Sequence, residues 1–294
     1  MLGKERKMVL TEKAYAKINL YLDVVGKRPD GFHNLETLMH TVSLSDELTF
    51  ELLKREPFSI ELKIEGNDNL KADESNLVFR AVKEFVKHSH VDGKLIITLK
   101  KNIPVEAGLG GGSADAAATL RALNRLSKFP LDETKLYEMA EKLGSDVPFC
   151  LKGGFALCRG RGEKITPLSP LKNLHLVIIN SGERVSTPDA FKLIDQSKNS
   201  ELQASPNEKY NVLSSITEGE MNALFNAFEQ YILPTCPRAK KAKEELILCG
   251  AYSALMSGSG PTVFGIFDDF VKAENAAKKL QSDFDKVFVS GFID

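Results

Sequence analysis

Cysteine is scarce in this sequence, and long apolar runs are absent. The four cysteines among 294 residues show neither C-x-x-C spacing nor a companion histidine cluster, so the sequence indicates neither a zinc site nor a disulfide framework. No apolar run approaches the length of a membrane span, and none follows the charged first residues. We therefore expect a cytoplasmic protein without a membrane-spanning helix.

A large excess of charge of either sign is also missing. Lysine and arginine number 39 and the acidic residues 40, which gives a formal net charge of -1. A chain with this balance has no electrostatic footprint for nucleic acid or for an anionic membrane. We expect neither partner, and any anion must be bound by local geometry.

The chain is long enough for two domains, and its composition of 43% apolar and 27% charged residues is typical of globular proteins. Strand and helix patterns alternate irregularly, which favours an α+β fold over a regular parallel sheet. The clearest change in composition lies between Arg159 and Pro170, where glycine and proline cluster. This change predicts two domains, residues 1–160 and 161–294.

The most informative stretch runs from Ile103 to Leu120 and holds four glycines in five positions, from Gly108 to Gly112. A buried strand is predicted just before it, over 95–99, and a helix after it, with Ser113 as N-cap and Asp115 in the first turn. Free backbone N–H groups and the positive end of a helix favour an anion such as a polyphosphate. The lysine of a P-loop is missing. A tight turn that only lets strand and helix pack is the alternative.

Two polar side chains share one face of an early strand. Alternation over 14–22 predicts a strand on which Lys17 and Asn19 project together. A solvated strand face is the alternative interpretation.

The Pro-Asp-Gly turn that follows presents Phe32 and His33, a pair able to stack on a planar ligand and to form hydrogen bonds with it.

Asp146 is predicted to lie in a fixed bend. A helix capped by Asp132 should end at Leu143, with Gly144 as a left-handed stop, and Pro148 should prevent the helix from continuing before a new strand. A carboxylate held in such a bend can act as a base, although Asp in a turn often bonds its own backbone.

The other predicted elements are less informative about function. An antiparallel strand is expected over 58–64, and a helix over 76–87 with Ser75 as its cap. Thr187 should cap a helix that has Pro188 at its first position. The remaining expectations are a strand over 174–179, a polar loop over 196–210, helices over 220–231 and 238–248, a glycine loop at 256–261, a strand over 262–267, a helix over 271–280 and a strand over 286–289.

Three separated segments together resemble the motifs of the GHMP small-molecule kinases. They are Ala-Lys-Ile-Asn-Leu at 16–20, Pro-x-x-x-Gly-Leu-Gly-Gly-Gly-Ser at 104–113 and Gly-Ser-Gly-Pro at 258–261. The resemblance spans nearly the whole chain. It implies a kinase fold of two α+β domains, with the active site in the cleft between them.

The resemblance also implies roles in phosphoryl transfer. Asp146 matches the catalytic base that takes the proton of the hydroxyl group, and Lys17 matches the lysine that orients this base and steadies the phosphoryl group. Mg²⁺ is expected with ATP, and Ser113 or Asp115 could touch it, but the sequence assigns no metal ligand. The segment that would wrap the ATP phosphates comprises Pro104, Val105, Glu106, Ala107, Gly108, Leu109, Gly110, Gly111, Gly112, Ser113 and Ala114.

Further segments resemble one branch of the family, whose small-molecule substrate is a sugar alcohol with a cytidine diphosphate moiety. These segments are Arg-Pro-Asp-Gly-Phe-His, Leu-Gly-Ser-Asp-Val-Pro-Phe and Ser-Thr-Pro-Asp-Ala-Phe. His33 would read the cytosine, and Phe32 and Phe191 would flank its ring. Asn19 and Thr187 would bind other polar groups of the substrate.

Two departures from the pattern of the branch are visible. Phe32 stands where tyrosine is frequent, and the usual Asn-Asp-Leu of a later helix corresponds here to 211–213, Asn-Val-Leu. Two alternatives stay open: a family member that acts on mevalonate, homoserine or a sugar, and a nucleotide-binding protein without catalysis. A monomer or a weak homodimer is expected.

Overall fold

The computed structural model describes residues 7–54, 56–196, 213–218 and 220–294. The predicted polar loop over 196–210 therefore lies outside the described residues except for Gln196, as do positions 211 and 212. The strands are β1 Lys7–Lys27, β2 His33–Leu53, β3 Ser59–Glu65, β4 Lys94–Lys100, β5 Phe155–Gly160, β6 Lys164–Leu168, β7 His175–Asn180, β8 Phe225–Asn226, β9 Ser253–Met256, β10 Val263–Phe267 and β11 Lys286–Gly291.

Helices and strands mix along the chain, which confirms the expected α+β class. The helices are α1 Leu77–Phe85, α2 Gly111–Leu126, α3 Glu133–Leu143, α4 Val147–Lys152, α5 Thr187–Gln196, α6 Glu229–Ile232, α7 Pro237–Leu248 and α8 Phe270–Leu280, with a helical turn at 213–217 and a 3-10 turn at Met221–Ala223. None of the helices in these described ranges is long and apolar enough to cross a membrane.

Contacts group the described residues into two units that interleave along the chain. The first unit contains the chain up to Ala16 together with 45–103 and 110–152, and the second contains 17–44, 104–109 and the chain from Gly153 onward. Because each unit draws on several separate segments, these units do not test a single boundary near residue 160, and that boundary stays a prediction.

The first unit packs helices on a sheet with the strand order β3-β4-β2-β1. In β4 the alternation of the sequence buries Leu95, Ile97 and Leu99 completely, and β4 runs antiparallel to β2. Helix α2 is rich in alanine, and its small side chains pack within the same apolar core as Phe50 and Phe85. Ala116, Leu120 and Leu123 line its buried face as predicted.

The direction of β3 differs from the prediction. We expected an antiparallel strand with one wet face, but β3 pairs in parallel with β4, with Ile60 opposite Leu95. The reason is α1, which lies between these two strands in the chain and supplies the crossover that parallel strands need. Alternation along a single strand does not reveal the direction of its partner.

The second unit contains a four-stranded antiparallel sheet with the order β11-β7-β10-β9. Its core joins apolar residues of this sheet with those of α7 and α8. The second part of β1 and the first part of β2 also belong to this unit, where β5 pairs with β2 and forms a hairpin with β6. Strands β7, β10 and β11 and helices α7 and α8 agree with the predicted ranges to within a few residues.

The helix predicted over 220–231 is wrong. Phe225 and Asn226 instead form the short strand β8, which pairs in parallel with Tyr21 and Leu22 of β1. The Asn226 side chain donates to the carbonyls of Met256 and Gly258. These tertiary contacts override the local helical pattern, and only α6 remains helical at the end of the predicted range.

Candidate active site

Every second residue of the predicted phosphate-binding segment from Glu106 to Gly110 has a left-handed backbone conformation. Glu106, Gly108 and Gly110 have φ values of +55°, +73° and +68°. Gly110 is the N-cap of α2, which corrects the prediction that Ser113 caps this helix. A residue with positive φ ends the loop at Gly110, so Ser113 occupies the third helical position and Asp115 lies beyond the first turn.

Because α2 begins at Gly111, the N–H groups of its first turn are available for an anion. The amide of Ala114 donates to the carbonyl of Gly110, and the amides of the residues before it have no carbonyl partner in helix geometry. No side chain caps them within the described part of the chain. Gly112 is exposed, and Gly111 and Ser113 are partly exposed. The predicted binding of an anion at this segment is therefore physically reasonable, because the open N–H donors and the positive end of the helix dipole lie at the same place.

Three segments singled out by the sequence meet in the second unit. The amide of Lys17 donates to the carbonyl of Leu109 at 3.0 Å. The Ser257 hydroxyl donates to the carbonyl of Gly108, also at 3.0 Å. A methyl group on Gly108 would lie 2.1 Å from the carbonyl oxygen of Ser257, so only glycine allows this approach. Strand β1, the first glycine loop and the second glycine loop are thus fixed to one another.

Lys17 and Asn19 lie on a buried face of β1 and not on a solvated one. They are 4% and 3% exposed. The Lys17 ammonium donates to Asn19 Oδ1 at 2.7 Å, and Asn19 Nδ2 donates to the Thr37 hydroxyl at 2.8 Å. That hydroxyl in turn donates to the carbonyl of Tyr21 at 2.6 Å. The chain of donors fixes the orientation of the Asn19 amide and holds the ammonium in place.

Asp146 lies in the first unit and is partly buried. The expected strand after it is wrong: the short helix α4 begins at Val147, and the Cys150 amide donates to the carbonyl of Asp146 at 3.0 Å. Pro148 fits there because the first turn of a helix does not need its N–H group. Gly144 ends α3 in an extended conformation, with φ of 170°, and not as the predicted left-handed stop. The pairing of Asp146 with Lys17 stays a prediction.

His33 is the centre of a third cluster. Its ring is stacked on that of Phe191, with 4.6 Å between centroids and 12° between planes. His33 Nε2 lies 2.8 Å from Asp195 Oδ1, and Lys27 Nζ lies 2.6 Å from Asp195 Oδ2. Hydrogen bonds from Lys27 and His33 lower the pKa of Asp195. Phe32, in contrast, is 52% exposed and its ring faces the guanidinium of Arg161.

Asp195 was missed by the sequence analysis, although a signal for it exists. It follows Phe191 by four residues on α5, so both side chains project from the same face of the helix. An acidic residue at this spacing from a predicted substrate-binding aromatic residue is a candidate partner for His33.

Thr187 contacts the second glycine loop. Its hydroxyl lies 3.0 Å from that of Ser259. The predicted capping role is wrong, because α5 includes Thr187 and the Ser186 hydroxyl accepts from the amide of Asp189. The Thr187 hydroxyl is therefore not used in capping.

The position of Asp115 bears on the metal. Asp115 is 3% exposed, and its Oδ2 accepts from Lys101 Nζ at 2.8 Å. A carboxylate engaged in this way is a poor candidate for a metal ligand, whereas the hydroxyl of Ser113 is partly exposed at the start of α2. Across the ranges that the structure describes, no group of three or more His, Cys, Asp or Glu residues could hold a metal ion.

Comparisons with known proteins match both halves of the chain to one family. Residues 76–154 match the model of the GHMP kinase N-terminal domain, and residues 214–286 match that of the GHMP kinase C-terminal domain. The 4-diphosphocytidyl-2-C-methyl-D-erythritol kinase of Clostridium botulinum (strain Alaska E43 / Type E3) is 40% identical over 279 residues, which cover 95% of this chain and 98% of the relative.

Solved structures agree with this match. A crystal structure of 4-(cytidine 5'-diphospho)-2C-methyl-D-erythritol kinase is 32% identical, covers 97% of this chain and 100% of its own, and has a TM-score of 0.78. Homoserine kinase from Cytophaga hutchinsonii is 20% identical, covers 100% of this chain and 99% of its own, and has a TM-score of 0.68. The second likeness is one of fold alone.

Proposed function

We propose a function for this chain on the premise that it belongs to the GHMP kinase family. The chain catalyses ATP-dependent phosphorylation of the 2-hydroxyl group of 4-diphosphocytidyl-2-C-methyl-D-erythritol, giving the 2-phosphate and ADP. This reaction is a step of the non-mevalonate route to isoprenoid precursors. The observation that carries the assignment is the identity of about 40% over nearly the full length with a relative that bears the name of this kinase.

We assign the ATP phosphates to the segment from Pro104 to Ala114. Its left-handed residues and the open N–H groups of α2 supply backbone donors where a P-loop would use lysine. Mg²⁺ bound with ATP would neutralise negative charge on the phosphates. The Ser113 hydroxyl is our candidate contact for this ion, because the Asp115 carboxylate is engaged by Lys101.

Asp146 is proposed as the base and Lys17 as its positioning partner. As the oxygen of the substrate hydroxyl bonds to the γ-phosphorus, the bond from this phosphorus to the bridging oxygen of ADP breaks, and the hydroxyl proton passes to Asp146. The ammonium of Lys17 is buried, so it acts on the developing charge in a medium of low dielectric constant. Its bond to Asn19 Oδ1 means that little reorganisation is needed during the reaction.

We assign the cytosine of the substrate to His33, with Phe32 and Phe191 flanking its ring. If Nε2 of His33 donates to Asp195, Nδ1 is an acceptor that suits the exocyclic amine of cytosine. Phe191 stacks on His33 in the structure, so a cytosine held between the aromatic side chains would require the Phe191 ring to move. Asn19 and Thr187 are proposed to bind other polar groups of the substrate.

Several expectations from the sequence remain part of this proposal. They are a cytoplasmic location, the absence of a nucleic acid partner, and a monomer or weak homodimer. None of them is needed for the assignment of the reaction.

The test is ADP release with Mg-ATP and 4-diphosphocytidyl-2-C-methyl-D-erythritol, run beside mevalonate, homoserine and galactose. We expect turnover with the cytidine substrate alone, and CDP should inhibit it by competition. Activity on one of the other alcohols, without inhibition by CDP, would contradict the assignment of His33 and Phe191. ATP binding without turnover on any alcohol would favour a protein that has lost catalysis.

A further inference from the structure

A buried threonine of β2 completes the hydrogen bonds that begin at Lys17. The Lys17 ammonium donates to Oδ1 of Asn19 at 2.7 Å, and Nδ2 of Asn19 donates to the Thr37 hydroxyl at 2.8 Å. This hydroxyl donates to the backbone carbonyl of Tyr21 at 2.6 Å. Thr37 is 2% exposed and belongs to the same unit as the three residues of β1. We call the Lys17, Asn19 and Thr37 side chains and the Tyr21 carbonyl the Thr37 network.

The two ends of the Thr37 network fix the direction of every hydrogen bond in it. An ammonium group can donate but not accept, and a carbonyl oxygen can accept but not donate. Lys17 therefore contacts the oxygen of the Asn19 amide, which leaves the amide nitrogen for Thr37. The nitrogen is also a donor, so the Thr37 oxygen accepts from it and sends its own proton to Tyr21. The hydrogens of the network thus have a single arrangement.

The Thr37 hydroxyl is the part of the network that holds the Asn19 amide in this orientation. Without it, a buried N–H group of Asn19 loses its acceptor, which is unfavourable. The amide is then free to turn, and a turn of half a revolution would bring its NH₂ group towards the ammonium, where two donors repel each other. The position of the Lys17 charge therefore depends on a residue of the neighbouring strand.

Thr41 provides a comparison within the same strand. It lies four positions further along β2 and is 6% exposed. Its Oγ1 is buried and has no hydrogen-bond partner in the part of the chain that the structure describes. Strand β2 thus carries two buried threonines, one with a hydroxyl that both accepts and donates and one with a hydroxyl that does neither. Burial alone does not account for this difference.

We propose that Thr37 is a positioning residue for phosphoryl transfer, which acts through Asn19 to hold the Lys17 ammonium in one place. The inference rests on the proposed function, because it requires Lys17 to stabilise the charge that develops on the phosphoryl group. A charge that is already in position needs no reorganisation during the reaction and lowers the barrier most. Loss of the Thr37 hydroxyl should therefore appear in kcat.

The experiment is steady-state ADP release by three single variants, with Mg-ATP and the cytidine substrate varied in turn. Thr37→Val keeps the shape of the side chain and removes the hydroxyl, so kcat should fall by about ten- to a hundredfold, with the KM for Mg-ATP nearly unchanged. Thr37→Ser keeps the hydroxyl and should recover most of the loss. The matched control is Thr41→Val, which removes the unused hydroxyl and should keep the kcat of wild type.

A double variant tests whether Thr37 acts through Asn19. In an Asn19→Ala background the amide is gone, so Thr37→Val should cause no further loss of kcat. A loss that came from weaker packing between β1 and β2 would instead persist in this background. Thermal melts under the assay conditions establish that each variant is folded.

The outcomes separate the inference from the proposed function. Wild-type kcat in Thr37→Val, an equal loss in Thr41→Val, or full additivity with Asn19→Ala overturns the inference and leaves the proposed function intact. Wild-type protein that transfers no phosphate to the cytidine substrate overturns both. If Thr37→Val does not fold, Thr37→Ala removes the same hydroxyl without adding a methyl group beside the amide. Wild-type kcat in that variant would equally contradict the proposal.

Discussion

Removal of the Asp195 carboxylate tests how the proposed cytosine reader is positioned. Asp195 Oδ1 lies 2.8 Å from His33 Nε2, and the other oxygen is held by Lys27. The carboxylate therefore fixes both the rotation of the imidazole and the nitrogen that carries the proton. In Asp195→Ala the ring is free to rotate, and its Nδ1 no longer meets the substrate in one defined state.

The expected magnitude follows from the exposure of the pair. A hydrogen bond to a charged group contributes about 1.5–3 kcal/mol. The Asp195 side chain is 32% exposed, so screening by solvent reduces this value to about 1 kcal/mol. This corresponds to a KM for the cytidine substrate that is raised about fivefold. We expect kcat and the KM for ATP to stay unchanged, because Lys17 and Asp146 are not altered.

The assay is steady-state ADP release with either substrate varied. Asp189→Asn is the matched control, because Asp189 is an exposed carboxylate on the same helix that pairs with Lys192 and not with His33. Asp195→Asn should recover part of the loss, since its amide oxygen still accepts from Nε2. The effects of Asp195→Ala and His33→Ala should not add in the double variant. A loss of kcat at unchanged KM, or full additivity, would refute the reasoning.

Three further predictions concern the base, the glycine loop and a buried histidine. Asp146→Asn should lower turnover by about a thousandfold or more and leave the Kd for ATP nearly intact, and turnover at the wild-type rate would exclude Asp146 as the base. Gly108→Ala should lower the free energy of unfolding by about 2–4 kcal/mol, because the new methyl group would collide with the carbonyl oxygen of Ser257. Gly182 also has positive φ but faces open space, so Gly182→Ala should lower the free energy of unfolding by about 1 kcal/mol. Thermal melts compare the two variants, and equal losses would contradict the close approach of Gly108 to Ser257. Burial lowers the pKa of His40 to about 4 from 6.5, so the unfolded chain takes up the proton first and stability should fall by up to about 3 kcal/mol from pH 6.5 to 4. His40→Gln should lose this dependence in urea unfolding, and an unchanged pH profile would exclude His40 as its source.

Much of the fold follows from local patterns. Strand β4 is predicted because its apolar residues alternate as they do in a strand, and helix α7 because its apolar residues recur with the period of a helix. Helix α3 is predicted because Asp132 caps it, as the sequence indicates. The apolar face of β1 is also found, since Ala16, Ile18 and Leu20 alternate with polar residues, although the polar face proves to be buried as well.

The errors lie where distant contacts decide local structure. Residues 225–226 form β8 because β1 offers a free edge for parallel pairing, which no local pattern can reveal. Strand β9, which was not predicted, is formed by pairing with β10. Helix α2 begins at Gly111 because Gly110 takes a left-handed conformation, whereas the capping preference of serine pointed to Ser113.

The candidate site likewise combines residues that the local sequence reveals with distant contacts that it does not. Lys17, Asn19 and the glycine segment were selected from the sequence, and the structure adds their partners: Thr37 for Asn19, and Ser257 for Gly108. The buried ion pair between Lys101 and Asp46 was missed because these residues are 55 positions apart in the chain. Asp115 was noted as a residue of the first helical turn and a possible contact of Mg²⁺, and not as part of a buried ion pair.

The most direct test of the central claim is the position of the phosphate in the product. Wild-type protein would be incubated with Mg-ATP and 4-diphosphocytidyl-2-C-methyl-D-erythritol, and the product examined by phosphorus and carbon NMR beside the amount of ADP formed. We predict one new phosphate monoester on the 2-hydroxyl oxygen for each ADP released, and none with Asp146→Asn. ADP release without a new ester, or a phosphate on another oxygen, would contradict the proposed reaction.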